Sequence, residues 1–62
     1  MNFDDYKAFT NNMWITRTGE WLSIEQMSTN HIKNCIQLIK KTYWRTYYLS
    51  LLIKEYKKRI SQ

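Results

Sequence analysis

The side chains best equipped for chemistry are His31 and Cys35, which stand four residues apart and so share one face of a helix. That spacing suits two metal ligands. A structural zinc site takes four, however, and the sequence holds no other His or Cys, so carboxylates or a second subunit would have to complete it. The same scarcity argues against a Cys-His nucleophile, because thiol and base need an orienting third group and a pocket that a 62-residue chain can scarcely enclose. The chain therefore reads as one that binds and does not catalyse. No metal, cofactor or catalytic residue is expected, with His31 placed near a helix start and Cys35 a small buried thiol.

A second set of residue types bears on binding. If helix runs on from residue 32, Lys33, Lys40, Lys41, Trp44, Arg45 and Tyr48 fall on the side away from Ile32, Ile36 and Ile39. Cations interleaved with aromatics suit phosphate contacts combined with base stacking, and equally a protein hot spot, where Trp, Tyr and Arg predominate. These residues are the candidate partner contacts. The plain alternative is a solvated face whose rings pack on a following helical segment. Lys54, Lys57, Lys58 and Arg59 form a further cation cluster, which the carbonyl end of a helix explains without any ligand, at about 0.3–1 kcal/mol per cation.

Charge is placed unevenly. Residues 1–31 hold Lys7 and Arg17 against Asp4, Asp5, Glu20 and Glu25, a balance of −2, whereas residues 32–62 hold eight cations against Glu55 alone, a balance of +7. An electrostatic partner is thus met by the second half. The densest apolar stretch, residues 43–53, is interrupted by Arg45, Thr46 and Ser50 and falls short of the roughly 20 residues a membrane span requires. Asp4 and Asp5 stand where a signal peptide would carry cations, so a cytoplasmic protein is expected.

The elements that must position these residues follow from spacing and punctuation. One domain over residues 1–62 is expected, of class α+β. Gly19 is the only glycine and there is no proline, so Gly19 marks the one strong turn. On either side, Met13-Trp14-Ile15-Thr16 and Trp21-Leu22-Ser23-Ile24 are rich in β-branched and aromatic residues, which predicts a β-hairpin over about residues 13–24. A two-residue turn at Thr18-Gly19 gathers Met13, Ile15, Leu22 and Ile24 on one face with Trp14 and Trp21 on the other, and is preferred for that reason. A three-residue loop with Gly19 left-handed is the alternative and shifts every pairing.

Ser28 is a good N-cap, and Met27 with Ile32 matches a hydrophobic staple, so helix starts there and runs within residues 28–60. Ile32, Cys35, Ile36, Ile39 and Tyr43 recur on one helical face, and Leu49, Leu52, Ile53, Tyr56 and Ile60 form a second stripe slightly out of phase. Either one long helix or two, broken near Lys40-Lys41-Thr42, satisfies this pattern. A short N-terminal helical turn over residues 3–9 is also readable after Asn2. The belt at residues 47–53 is apolar nearly all round, so Tyr47, Leu51, Leu52 and Ile53 are assigned to self-association as a homodimer, the support a domain with one cysteine and no disulfide would need.

The spacing Trp14-x-Thr16-x-x-Gly19, Ile24-x-x-Met27 and His31-Ile32-x-Asn34, about a third of the chain, resembles a group of short phage and prophage proteins. Their shared core is a Trp-led hairpin followed by a Met and a His-(Leu/Ile)-x-Asn helix start. The resemblance implies a setting in which tiny proteins act on host machinery, including inhibition of defence systems such as CRISPR effectors. The function expected is accordingly occlusion of a host protein or protein–nucleic-acid complex. A nucleic-acid-binding module contacting phosphates through the basic half is the alternative.

Overall fold

A computed structural model describes residues 2–61. The fold is α+β: a helix, a two-stranded hairpin and two further helices. The readable N-terminal turn is a full helix, α1 (Phe3–Thr10), and Asn2 caps it by accepting the Asp5 amide at 2.7 Å. Asn12 then turns the chain in the left-handed region, φ 58°, a conformation asparagine tolerates, and leads into β1 (Met13–Ile15).

β1 pairs antiparallel with β2 (Trp21–Ser23), but not in the preferred register. Met13 faces Ser23, Trp14 faces Leu22 and Ile15 faces Trp21. The Thr16 amide donates to the Glu20 carbonyl at 2.8 Å and the Gly19 amide to the Thr16 carbonyl at 3.0 Å, closing a three-residue loop over residues 17–19. The physical reason lies in the turn. A two-residue turn asks for positive φ at Thr18, whereas this loop confines it to Gly19, at φ 90°. Thr16 then locks the loop, its hydroxyl accepting the Glu20 amide at 3.0 Å. As a result Trp14 points into the core, only 4% exposed, and Trp21 lies on the outer face.

A single turn of 3-10 helix (Ile24–Gln26) carries Ile24 into the core and leads to α2 (Thr29–Thr42). Ser28 caps α2 as expected, accepting the His31 amide at 3.1 Å, and Met27 and Ile32 are both buried beside it. The buried face of α2 is Ile32, Cys35, Ile36 and Ile39. Tyr43 departs from the expected stripe: it sits past the helix end at φ 58° and is 83% exposed. So the helical region is two helices. After a second 3-10 turn (Thr46–Tyr48), α3 (Leu49–Ile60) returns along α2.

Tyr48 is the largest fully buried side chain. Its hydroxyl donates to the Met13 carbonyl at 2.7 Å, and its ring meets Trp14 edge-on at 4.9 Å and Phe9 at 5.4 Å. α1, β1 and the start of α3 are thereby joined in one aromatic cluster. At the other end of α3, Arg59 is not a free helix-end cation. Its Nη1 donates to the Met27 carbonyl, its Nη2 to the Glu25 carbonyl at 3.0 Å, and its Nε to Glu55 Oε2 at 2.9 Å. One side chain thus satisfies carbonyls that the short 3-10 turn leaves unpaired. No helix among the described residues is long and apolar enough to cross a membrane.

Candidate binding groove

The break between α2 and α3 is built around Arg45. Thr42 ends α2, Tyr43 and Arg45 both adopt φ 58°, and the reversal turns the Arg45 side chain inward. There its Nη1 donates to the Ile15 carbonyl at 2.8 Å and its Nη2 pairs with Asp5 Oδ1 at 3.1 Å. Its guanidinium carbon lies 4.2 Å from the Trp44 ring centroid and 4.8 Å from that of Trp14. The second Asp5 oxygen accepts the Tyr47 hydroxyl at 3.3 Å. Only 8% of the Arg45 side chain is exposed, and its Nε is buried without a partner.

Protonation follows from this packing. Burial, partly offset by the Arg45 charge, pushes the Tyr48 phenol up to about 12. Burial also raises Tyr47, and the neighbouring Asp5 carboxylate adds to the rise. Cys35 is raised by burial, with Arg45 pulling weakly the other way, so it is a thiol near neutral pH and a poor nucleophile.

Between α2 and the end of β1 opens a groove of about 790 Å³. Trp14 and Cys35 contribute to its apolar lining. One wall is the line His31, Asn34 and Leu38 along α2, and the opposite rim carries Thr16, Arg17 and Trp44. No carboxylate lines it. The arrangement can seat an apolar side chain and present cationic and amide donors around it. It offers no metal chemistry, since the described residues hold no cluster of three or more His, Cys, Asp or Glu.

The structure divides the residues expected to contact a partner. Lys33, Lys40 and Lys41 are exposed on α2. Lys33 and Lys40, seven residues apart, share a flank separate from the line of His31, Asn34 and Leu38. Trp44 reaches the groove rim, 47% exposed. Arg45 and Tyr48 are internal and cannot serve as surface contacts, because the left-handed turn at residues 43–45 redirects both from the face an unbroken helix would give them.

The self-association set is also largely used within the chain. Leu52 is fully buried, Tyr47 is bonded to Asp5, and Leu51 and Ile53 are half-buried against the core. Leu38, Arg17 and Asn34 were not singled out as site residues by the sequence. The signal was present in the three- and four-residue spacing of His31, Asn34, Cys35 and Leu38, which reads as a line along a helix, but charge content drew attention to the lysine flank instead. No family model matches the chain, and neither a curated protein nor a solved structure is similar to it.

Proposed function

We propose that this chain is a small non-enzymatic binding protein of the phage type that occludes a host protein complex, as an inhibitor of a bacterial defence system. One observation supports this above the others. Of the residues that carry the resemblance to phage proteins, Trp14, Thr16, His31 and Asn34 line one groove, while Gly19 forms the turn and Ile24, Met27 and Ile32 are core or cap residues. A core motif for packing alone needs no polar Thr, His and Asn facing a single cleft. The occupant suited to this lining is an apolar side chain flanked by carboxylates, since the rim offers Arg17 and no acidic group.

One copy is the binding unit in this reading, because the apolar belt that called for a partner copy is covered by the chain itself. Light scattering that returns a dimer mass at micromolar concentration would overturn that part. The function is tested in bacteria carrying an active CRISPR interference system. Expression of the chain should restore plating of a targeted phage, and Leu38→Glu, which changes a wall residue already 36% exposed, should abolish the restoration. Plating unchanged by the wild-type chain, or equal for wild type and Leu38→Glu, removes the proposal.

A further inference from the structure

Residues 40–44, which join α2 to α3, are not explained by the groove. Lys40 and Lys41 stand exposed in the last turn of α2, and beyond them Tyr43 is 83% exposed and Trp44 47%. Among the described residues no other ring stacks on Tyr43, which makes its presentation to solvent a feature that core packing does not account for. Its backbone is costly as well. At φ 58° a side chain beyond Gly or Asn is strained, and Arg45 repeats that angle two residues on. Trp44 between them is fixed by the Arg45 guanidinium at 4.2 Å, which is itself tied to Ile15 and Asp5.

The charges around this segment are unopposed. α2 contains no carboxylate, the only one in α3 is Glu55, paired with Arg59, and Asp5 is engaged by Arg45 and Tyr47. Two free cations beside two open aromatic rings suit phosphates and bases together. A duplex offers the phosphates but hides its base faces in the stack, and an acidic peptide has no face for the rings.

We propose that residues 40–44 bind single-stranded nucleic acid, an unpaired base stacking on Tyr43 beside Trp44 while Lys40 and Lys41 neutralise adjacent phosphates. This surface is independent of the groove, whose wall is the line of His31, Asn34 and Leu38. Where both are used, the partner is a complex of protein with nucleic acid.

Fluorescence anisotropy with a dye-labelled oligothymidylate of about 12 nucleotides at low salt tests it. Binding is expected, with a duplex of the same length weaker by about tenfold or more. Tyr43→Asn keeps the left-handed backbone and removes the ring, and should weaken binding by on the order of tenfold, while Tyr43→Phe keeps it. Tyr43→Leu, which retains bulk without an aromatic face, repeats the measurement on a second background. Lys40→Ser with Lys41→Ser should lower the slope of log affinity against log salt by about one unit. No binding at low salt overturns the proposal. So does equal affinity for the duplex or for labelled polyglutamate, and so does unchanged affinity in Tyr43→Asn and Tyr43→Leu. None of these outcomes touches the plating result for Leu38→Glu.

Discussion

The two ends of α3 are each held by one arginine, and the two are used in opposite ways. Arg59 is a closed staple: all three of its nitrogens find oxygen, on the backbone carbonyls at residues 24, 25 and 27, on Thr29 and on Glu55 one turn back. Arg45 makes fewer bonds in a drier place. It sits among Trp14, Trp44 and Tyr48, keeps an unpartnered Nε, and depends on Asp5, which is 40 residues away in sequence. The Arg59 end only closes the fold. The Arg45 end closes it and also holds one wall of the groove and the rings of residues 43 and 44 in place, so strain and incomplete hydrogen bonding gather where binding is proposed.

The comparison breaks most sharply at Arg45→Met. The substitution leaves Asp5 half-buried without its cation and the Ile15 carbonyl without its donor, which should cost about 3–5 kcal/mol. For a domain this small that approaches the whole stability. Urea unfolding measures it, and a double-mutant cycle with Asp5→Asn should return a coupling of about 1–3 kcal/mol. A loss under about 1 kcal/mol would reduce the node to an ordinary surface pair.

Arg59→Met should cost less, about 1.5–3 kcal/mol. More of this side chain is open, 19% against 8% for Arg45, so water can replace part of what is lost. The ranking is the test. If Arg59→Met proves the more damaging change, the contrast between the two ends is wrong.

How much of this could be read beforehand follows from the range of each interaction. The hairpin and the start of α2 rest on local signals, Gly19 and Ser28, and both were legible. The register was not, because gathering the aliphatic residues favoured one pairing and the positive φ required at Thr18 opposed it; backbone geometry won. Tyr43 continued the helical spacing of Ile36 and Ile39, so periodicity carried it into the core, and only the left-handed turn excludes it. Arg45 was legible as a cation among aromatics. Its burial was not, since Asp5 and Ile15 lie 40 and 30 residues upstream and no pattern along the chain links them.

Titration separates the two ends further. Tyr48 lies at the Arg45 end, and its phenol is raised in the folded state to about 12 from an ordinary value of 10.0. A raised value means the folded protein holds the proton more tightly. Stability from this group is therefore complete below pH 10 and is lost as pH climbs toward 12. At pH 11 the loss should be about 1.4 kcal/mol. Tyr47 and Cys35 shift the same way, so the difference between wild type and Tyr48→Phe isolates the contribution. Parallel stability curves for the two proteins between pH 9 and 12 would show that Tyr48 titrates as if exposed, at about its unperturbed value.

The smallest expected effect has the opposite sign. Tyr43 buries almost nothing and holds a left-handed backbone that an L side chain adopts at a cost, so Tyr43→Asn should stabilise the fold by up to about 1 kcal/mol. In a domain of this size that raises the melting temperature by roughly 4–8 °C. A tyrosine kept for packing would do the reverse, because removing a packed ring destabilises. The sign therefore distinguishes a ring held for the fold from a ring held for a ligand. Stability gained together with oligothymidylate binding lost places the cost of the left-handed turn on the binding side. Stability lost on substitution would instead make Tyr43 part of the Arg45 cluster, and the exposed rings would then have no work beyond closing that end of α3.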